Sequence, residues 1–139
     1  QGSFSKQIDA LIDDGTNINE IGLVIEDPQN CLTINEIKNE IKYMLSTSNI
    51  KVIDTSASTY TLYVRSVFME HKDSSQHFCN GSMLFQIYSY TENTYPILKK
   101  VLHWQTNNIY IISHPYKDYL KSRVANLTKE AIVWIFDNK

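Results

Sequence analysis

The chain predicts an α/β (α+β) fold: a two-layer sandwich of one mixed five- to six-stranded sheet, packed by two main helices plus a short N-terminal helix. Three observations carry this. A compact apolar run, a capped helix and a second apolar run follow one another between residues 21 and 53. Two long runs of alternating polarity, 59–69 and 77–90, then flank a short polar loop. Finally, an apolar stripe at helical spacing closes the chain.

The elements follow in order. Phe4, Ile8, Leu11 and Ile12 recur at helical spacing with Gly15 as a stop, which predicts a short amphipathic helix over 4–14. Ile21 to Ile25 is a short apolar run closed by Glu26-Asp27-Pro28, the pattern of a buried strand. Thr33 and Glu36 form a capping box, and Leu32 and Ile37 stand at the staple positions around it. The helix beyond carries Ile34, Ile37, Ile41, Met44 and Leu45 on one face and stops within Ser46 to Asn49. Ile50 to Ile53 resumes as a strand, so the unit is expected to pair in parallel through a right-handed crossover. The alternating runs 59–69 and 77–90, joined by Glu70 to Gln76, predict a β-hairpin. Two further strands, 98–104 and 108–113, are expected around a Gln105-Thr106-Asn107 turn. Pro115 then opens a helix whose stripe is Tyr116, Leu120, Val124, Leu127, Ala131, Trp134 and Ile135.

With 139 residues, 42% hydrophobic and 20% charged, the chain fits a single globular domain. Gln1-Gly2-Ser3 reads as the remnant of a tobacco-etch-virus protease site, which leaves residues 4–139 as the domain. An engineered start carries the expectation that the natural N-terminus, with any export signal or lipid-anchor cysteine it bears, has been cut away. A net charge of −2 and a lone basic doublet, Lys99-Lys100, argue against a nucleic-acid partner. No apolar segment reaches the length of a membrane span. The histidines at 71, 77, 103 and 114 and the two cysteines form no metal-site spacing, so neither a metal nor a cofactor is expected.

His77 and Cys79 invite a test as a catalytic dyad. On a strand their side chains point the same way about 6.6 Å apart, too far for direct proton transfer. A strand also follows Cys79, so no helix dipole lowers its pKa. No catalytic residue is therefore assigned. The cysteines keep three readings: a disulfide between Cys31 and Cys79, two separate buried thiols, or a reactive thiol at Cys31 before the helix cap. The acidic neighbours Asp13-Asp14 and Glu26-Asp27 read as solvated loop charges.

Parity assigns the faces of the hairpin. Leu62, Val64 and Phe68, with Cys79, Met83, Phe85 and Ile87, form the face matched to the helices. Tyr63, Arg65, Val67 and Met69, with Leu84, Gln86 and Tyr88, form the other. A two-layer sandwich leaves that second face open. Tyr63, Arg65, Met69, Leu84 and Tyr88 are accordingly the candidate protein-binding residues; the alternative is that the leading helix or a curled sheet edge covers them.

The strings IGLVIEDPQNCLTINEIKNEIKYMLSTSNIKVID, YTLYVRSVFM and C-x-GSMLFQIYSY, the lone tryptophan of VLHWQ and the closing helix together carry a resemblance. Over residues 20–137 the chain resembles small exported or lipoprotein-like bacterial proteins whose first half is similar to the TolB N-terminal domain, the anticodon-binding-domain-like α/β fold. That resemblance implies a periplasmic or cell-envelope location and work done through protein–protein contacts without catalysis. The alternative is a secretion-system immunity or inhibitor protein that blocks a toxin.

Overall fold

The computed structural model describes residues 19–26, 30–94 and 97–138. The short helix expected over 4–14 and the pair Asp13-Asp14 lie outside them, as does Asp27. Strand β1 (Glu20–Ile25) leads to helix α1 (Ile34–Thr47) and the short strand β2 (Lys51–Ile53). A 3-10 turn (Thr55–Ala57) precedes three long strands, β3 (Tyr60–Lys72), β4 (His77–Thr94) and β5 (Ile97–Ser113), and helix α2 (Lys117–Asp137) closes the described chain. The five strands form one sheet in the order β2-β1-β3-β4-β5. β1 pairs in parallel with both β2 and β3, while β3–β4 and β4–β5 are antiparallel. The sheet is mixed, as the strand–helix–strand opening and the hairpin together require.

The local signals act where they stand in the sequence. Thr33 caps α1: the Glu36 N–H donates to Thr33 Oγ1 at 3.2 Å and the Thr33 N–H donates to Glu36 Oε1 at 2.9 Å. Burial alone would raise the Glu36 carboxyl, but the Thr33 N–H and the Lys117 ammonium outweigh it and hold it below the ordinary carboxylate range. Lys117 Nζ lies 3.2 Å from Glu36, so the cap of α1 is also tied to the first turn of α2. Helix α1 ends at Thr47 with Ser48 as its C-cap, and Asn49 follows at φ 61°, in the left-handed region Asn tolerates.

The connector expected over 70–76 is tighter than its composition suggests. β3 runs on to Lys72, and the turn is Asp73 to Gln76, where Asp73 Oδ1 accepts the N–H groups of Ser75 (2.9 Å) and Gln76 (2.7 Å). The expected turn at Gln105-Thr106-Asn107 is absent. Runs 98–104 and 108–113 belong to one continuous strand, so the described sheet has five strands. Those three residues face Gln86, Phe85 and Leu84 of β4 in unbroken register. No Gly or Pro is present to reverse the chain, and the Gln105 and Thr106 side chains find partners in place. Gln86 Nε2 donates to Gln105 Oε1 at 3.0 Å and Asn108 Nδ2 donates to Thr106 Oγ1 at 3.1 Å. The break in β5 comes earlier: Ile87 faces Trp104 while Tyr88 faces Leu102, which leaves His103 as the extra residue of a bulge.

The core lies between the sheet and the two helices. Ile37, Ile41 and Leu45 of α1 and Leu120, Val124, Leu127, Ala131 and Ile135 of α2 are buried against Leu62, Val64, Met83, Phe85 and Ile87. Each of these side chains except Ala131 stabilises the fold by about 1.5–3 kcal/mol relative to exposure. Gly81 sits on the inner side of β4 opposite Phe68 of β3 and Tyr110 of β5. A Cβ there would run into the Val67 carbonyl and the Phe68 ring, so a glycine is what lets these strands approach.

Candidate functional site

Register fixes which side chains share the outer face, the side away from the helices. Directly opposed residues on neighbouring strands point the same way, so the face is built in rungs. One rung is Tyr63, Gln86 and Gln105; the next is Arg65, Leu84 and Asn107. Val67, Ser82 and Ile109 follow, then Met69, Asn80 and Ile111. The structure therefore places Tyr63, Arg65, Met69, Leu84 and Tyr88 on one face. The described residues include no helix over these rungs.

The face divides into two regions. At the end nearer β1 the tyrosines are packed: Tyr63 and Tyr88 are 6.5 Å apart by ring centroid, and Tyr88 meets Tyr90 edge-on at 5.4 Å. Lys100 Nζ sits 4.3 Å from the Tyr88 centroid and 5.7 Å from that of Tyr63, a cation over two ring faces. Burial, then a hydrogen bond with Glu26, pushes the Tyr63 hydroxyl up to about 12. Glu26 also pairs with Arg65 at 3.5 Å, with both side chains open to water. Tyr88 departs from the expected exposed patch. At 8% exposure it is a floor under Lys100 and Tyr90 rather than a contact residue.

The far region is apolar and open. Val67 is 50% exposed and Met69 58%; across β4 from them Ile109 is 80% and Ile111 77% exposed. Only Ser82 and Asn80 lie between these side chains. Asn80 Oδ1 is buried and accepts no hydrogen bond from the described residues. Sequence reasoning missed Ile109 and Ile111 because the expected turn at 105–107 interrupted the parity of β5. Read without that turn, Gln105, Asn107, Ile109 and Ile111 alternate with Thr106, Asn108 and Tyr110, and the two isoleucines fall on the outer side.

The second candidate was the histidine–cysteine pair. Cys31 and Cys79 are joined by a disulfide with an S–S distance of 2.02 Å, and both are buried. The bridge ties the loop before α1 to the inner face of β4, so neither sulfur is a nucleophile. Its loop end is a tight left-handed stretch, with Asn30 at φ 61° and Cys31 at φ 53°. His77 is engaged elsewhere: its Nε2 lies 2.9 Å from Glu70 Oε1, and its ring stacks on His114 at 4.3 Å and meets Tyr116 edge-on. The hydrogen bond with His77 holds the Glu70 carboxyl below its ordinary range. An open hollow of about 390 Å³ lies beside the bridge, lined in part by Asn30, Thr33, Glu70, Tyr116 and Lys117. Among the described residues no three His, Cys, Asp or Glu side chains gather as a metal group. No helix among them is long and apolar enough to cross a membrane.

No protein-family model matches the chain, and no curated protein does. Several solved structures are similar in backbone. A minor lipoprotein from Acinetobacter baumannii aligns at 9% identity over 87% of this chain and 94% of its own, with a TM-score of 0.45. A hypothetical protein from Chlamydia trachomatis aligns at 10% identity over 81% of this chain and 94% of its own, with a TM-score of 0.49. A lipoprotein from Neisseria meningitidis aligns at 9% identity over 82% of this chain and 97% of its own, with a TM-score of 0.48.

Proposed function

We propose that the chain is an exported, non-enzymatic domain of the bacterial cell envelope or periplasm that works by protein–protein contact through the outer face of its sheet. The observation that carries this is the open apolar region of that face. Val67 and Met69 on β3, with Ile109 and Ile111 on β5, stand exposed beside Arg65, whose guanidinium also reaches water. Contiguous exposed apolar groups edged by polar ones are the usual mark of an interaction surface. Aromatic and Arg side chains are the types that dominate interface energetics.

Two further observations support the finer parts of the reading. The Cys31–Cys79 bridge is the kind of bond that persists in oxidising compartments, which favours export. The same bond occupies Cys79, and Glu70 and His114 occupy His77, so the dyad that would suggest hydrolysis is already spent structurally. The TolB-like resemblance belongs to this reading too. What supports it is the parallel β1–α1–β2 opening, with the Leu-Thr helix start and the YTLYV strand falling in the expected order.

The test is crosslinking from chosen positions in the envelope of the native bacterium. A photoreactive side chain at Arg65 or Met69 should give one discrete adduct whose mass is not twice that of the chain. Placed at exposed Tyr43 on α1, it should give none. With the photoreactive side chain moved to exposed Val67, Arg65→Ala combined with Met69→Ala should remove the adduct and leave stability within about 0.5 kcal/mol, since both replaced side chains face water. Adducts in equal yield from both faces, or from neither, overturn the proposal.

A further inference from the structure

The two edges of the sheet differ. β2 is short and lies beside α1, whereas β5, from Ile97 to Ser113, is a long edge strand with no strand on its far side among the described residues. A backbone edge of this kind is a template for another strand, and proteins usually block it with Lys, Pro or a bulge. The first half of β5 carries such devices: Lys100 stands there, and His103 forms the bulge. Residues 105–113, Gln-Thr-Asn-Asn-Ile-Tyr-Ile-Ile-Ser, have none. They contain no charge and no proline, and their register with β4 is unbroken from Gln86↔Gln105 to Phe78↔Ser113.

We infer that this half of the edge pairs antiparallel with the same segment of a second copy of the chain, across a two-fold axis at Ile109. Three observations select a second copy and this register. An uncharged strand read against itself brings no like charges together, which a charged edge would forbid. The axis at Ile109 sets Ile109 against Ile109, Asn107 against Ile111 and Gln105 against Ser113, so the exposed isoleucines meet across the seam on the outer face. Moving the axis to Gln105 or earlier would draw the His103 bulge into the ladder and break it. In the inferred register the outer faces are continuous, and the rung Val67–Ser82–Ile109 of one copy runs into that of the other. The apolar region then becomes the centre of a larger patch spanning both copies. The strand contact itself is at the small end of stable interfaces, so the association is weak and concentration-dependent.

The experiment uses the oxidised chain. Sedimentation between about 1 μM and 1 mM, the window of weak association, should show the mass rise from that of one chain towards twice that value. Amide exchange over 105–113 should slow in step. Ile109→Lys sets two ammonium groups side by side at the axis and should weaken association more than about tenfold. Its melting transition should be unchanged, because Ile109 is outside the core. Ile109→Cys should crosslink to itself, while Asn107→Cys should crosslink to Ile111→Cys and not to itself. A monomer at every concentration overturns the inference, including one whose 105–113 amides are already protected. Dimers that ignore Ile109→Lys, or that persist without the Ile109→Cys crosslink, also overturn it, because another surface then makes the contact. None of these outcomes depends on a foreign partner, so this inference and the proposed function fail separately.

Discussion

Replacing Cys31 and Cys79 together by Ala removes the bond that joins α1's leading loop to β4. The bridge closes a sequence separation of 48 residues. In the loop-closure model, releasing a loop of that length returns to the unfolded chain about 4 kcal/mol of conformational entropy at room temperature. Cys79 and Cys31 are buried in apolar surroundings, so Ala introduces no polar group, and the entropic change dominates the expected loss. With a urea slope of about 2 kcal/mol per molar, the midpoint should fall by about 2 M. The slope itself should rise, because an uncrosslinked unfolded chain exposes more surface. Either single variant should lose nearly as much as the double, since one cysteine alone closes nothing. The assay is urea unfolding followed by circular dichroism, with thiol titration in denaturant confirming that the parent has no free thiol. A loss below about 1 kcal/mol, with the slope unchanged, would refute the reasoning.

Three other outcomes follow from geometry. Thr33→Ala should cost about 1 kcal/mol, measured by chemical denaturation, because the Glu36 N–H loses its acceptor at the head of α1. Gly81→Ala should cost about 1–3 kcal/mol, because the added carbon has nowhere to go between the Val67 carbonyl and Phe68; a melting curve unchanged from the parent would show that β3 and β4 can part locally. Burial holds the His103 imidazole below its ordinary range, beside Ser89 Oγ at 2.7 Å and the rings of Tyr60 and Trp134. The neutral ring is therefore the folded form. Its contribution is present above about pH 6.5 and fades as pH falls through the lower folded value. Urea midpoints at pH 7 and pH 5 should differ more for the parent than for His103→Gln.

Much of this architecture is legible in the chain because its signals are local. Thr33 and Glu36 announce α1 within four positions, and the parity of 60–69 and 83–88 assigns both faces of the hairpin before any partner is known. The stripe from Leu120 to Ile135 likewise fixes the buried side of α2. What escaped was set by pairing. Gln105 to Asn107 look like a turn on their own, and only the ladder to β4, with Gln86 reaching Gln105, makes them a strand. The open face was visible as a parity class, but its weight was misplaced. Tyr88 shares the right parity and is covered by Lys100, whereas Ile109 and Ile111 became visible only once β5 was continuous. Cys31 and Cys79 lie far apart in sequence, and no spacing rule says that a loop and a strand will meet.

The place of β1 has a consequence for the order in which the protein is made. β1 is the first described strand, yet it sits inside the sheet, held by β2 on one side and β3 on the other. Its partners are residues 51–53 and 61–64, all synthesised well after it. The strands β3, β4 and β5, by contrast, run consecutively and pair as neighbours. An emerging chain therefore presents the Ile-Gly-Leu-Val-Ile segment with nothing to pair with, until the residues that flank it have also appeared. A protein passed through a membrane pore with its N-terminus leading would meet the far compartment in that state, with an interior strand of its sheet bare. The first described strand thus waits for residues 51–64 before it can pair, and a chaperone that grips extended apolar strands has its natural target there.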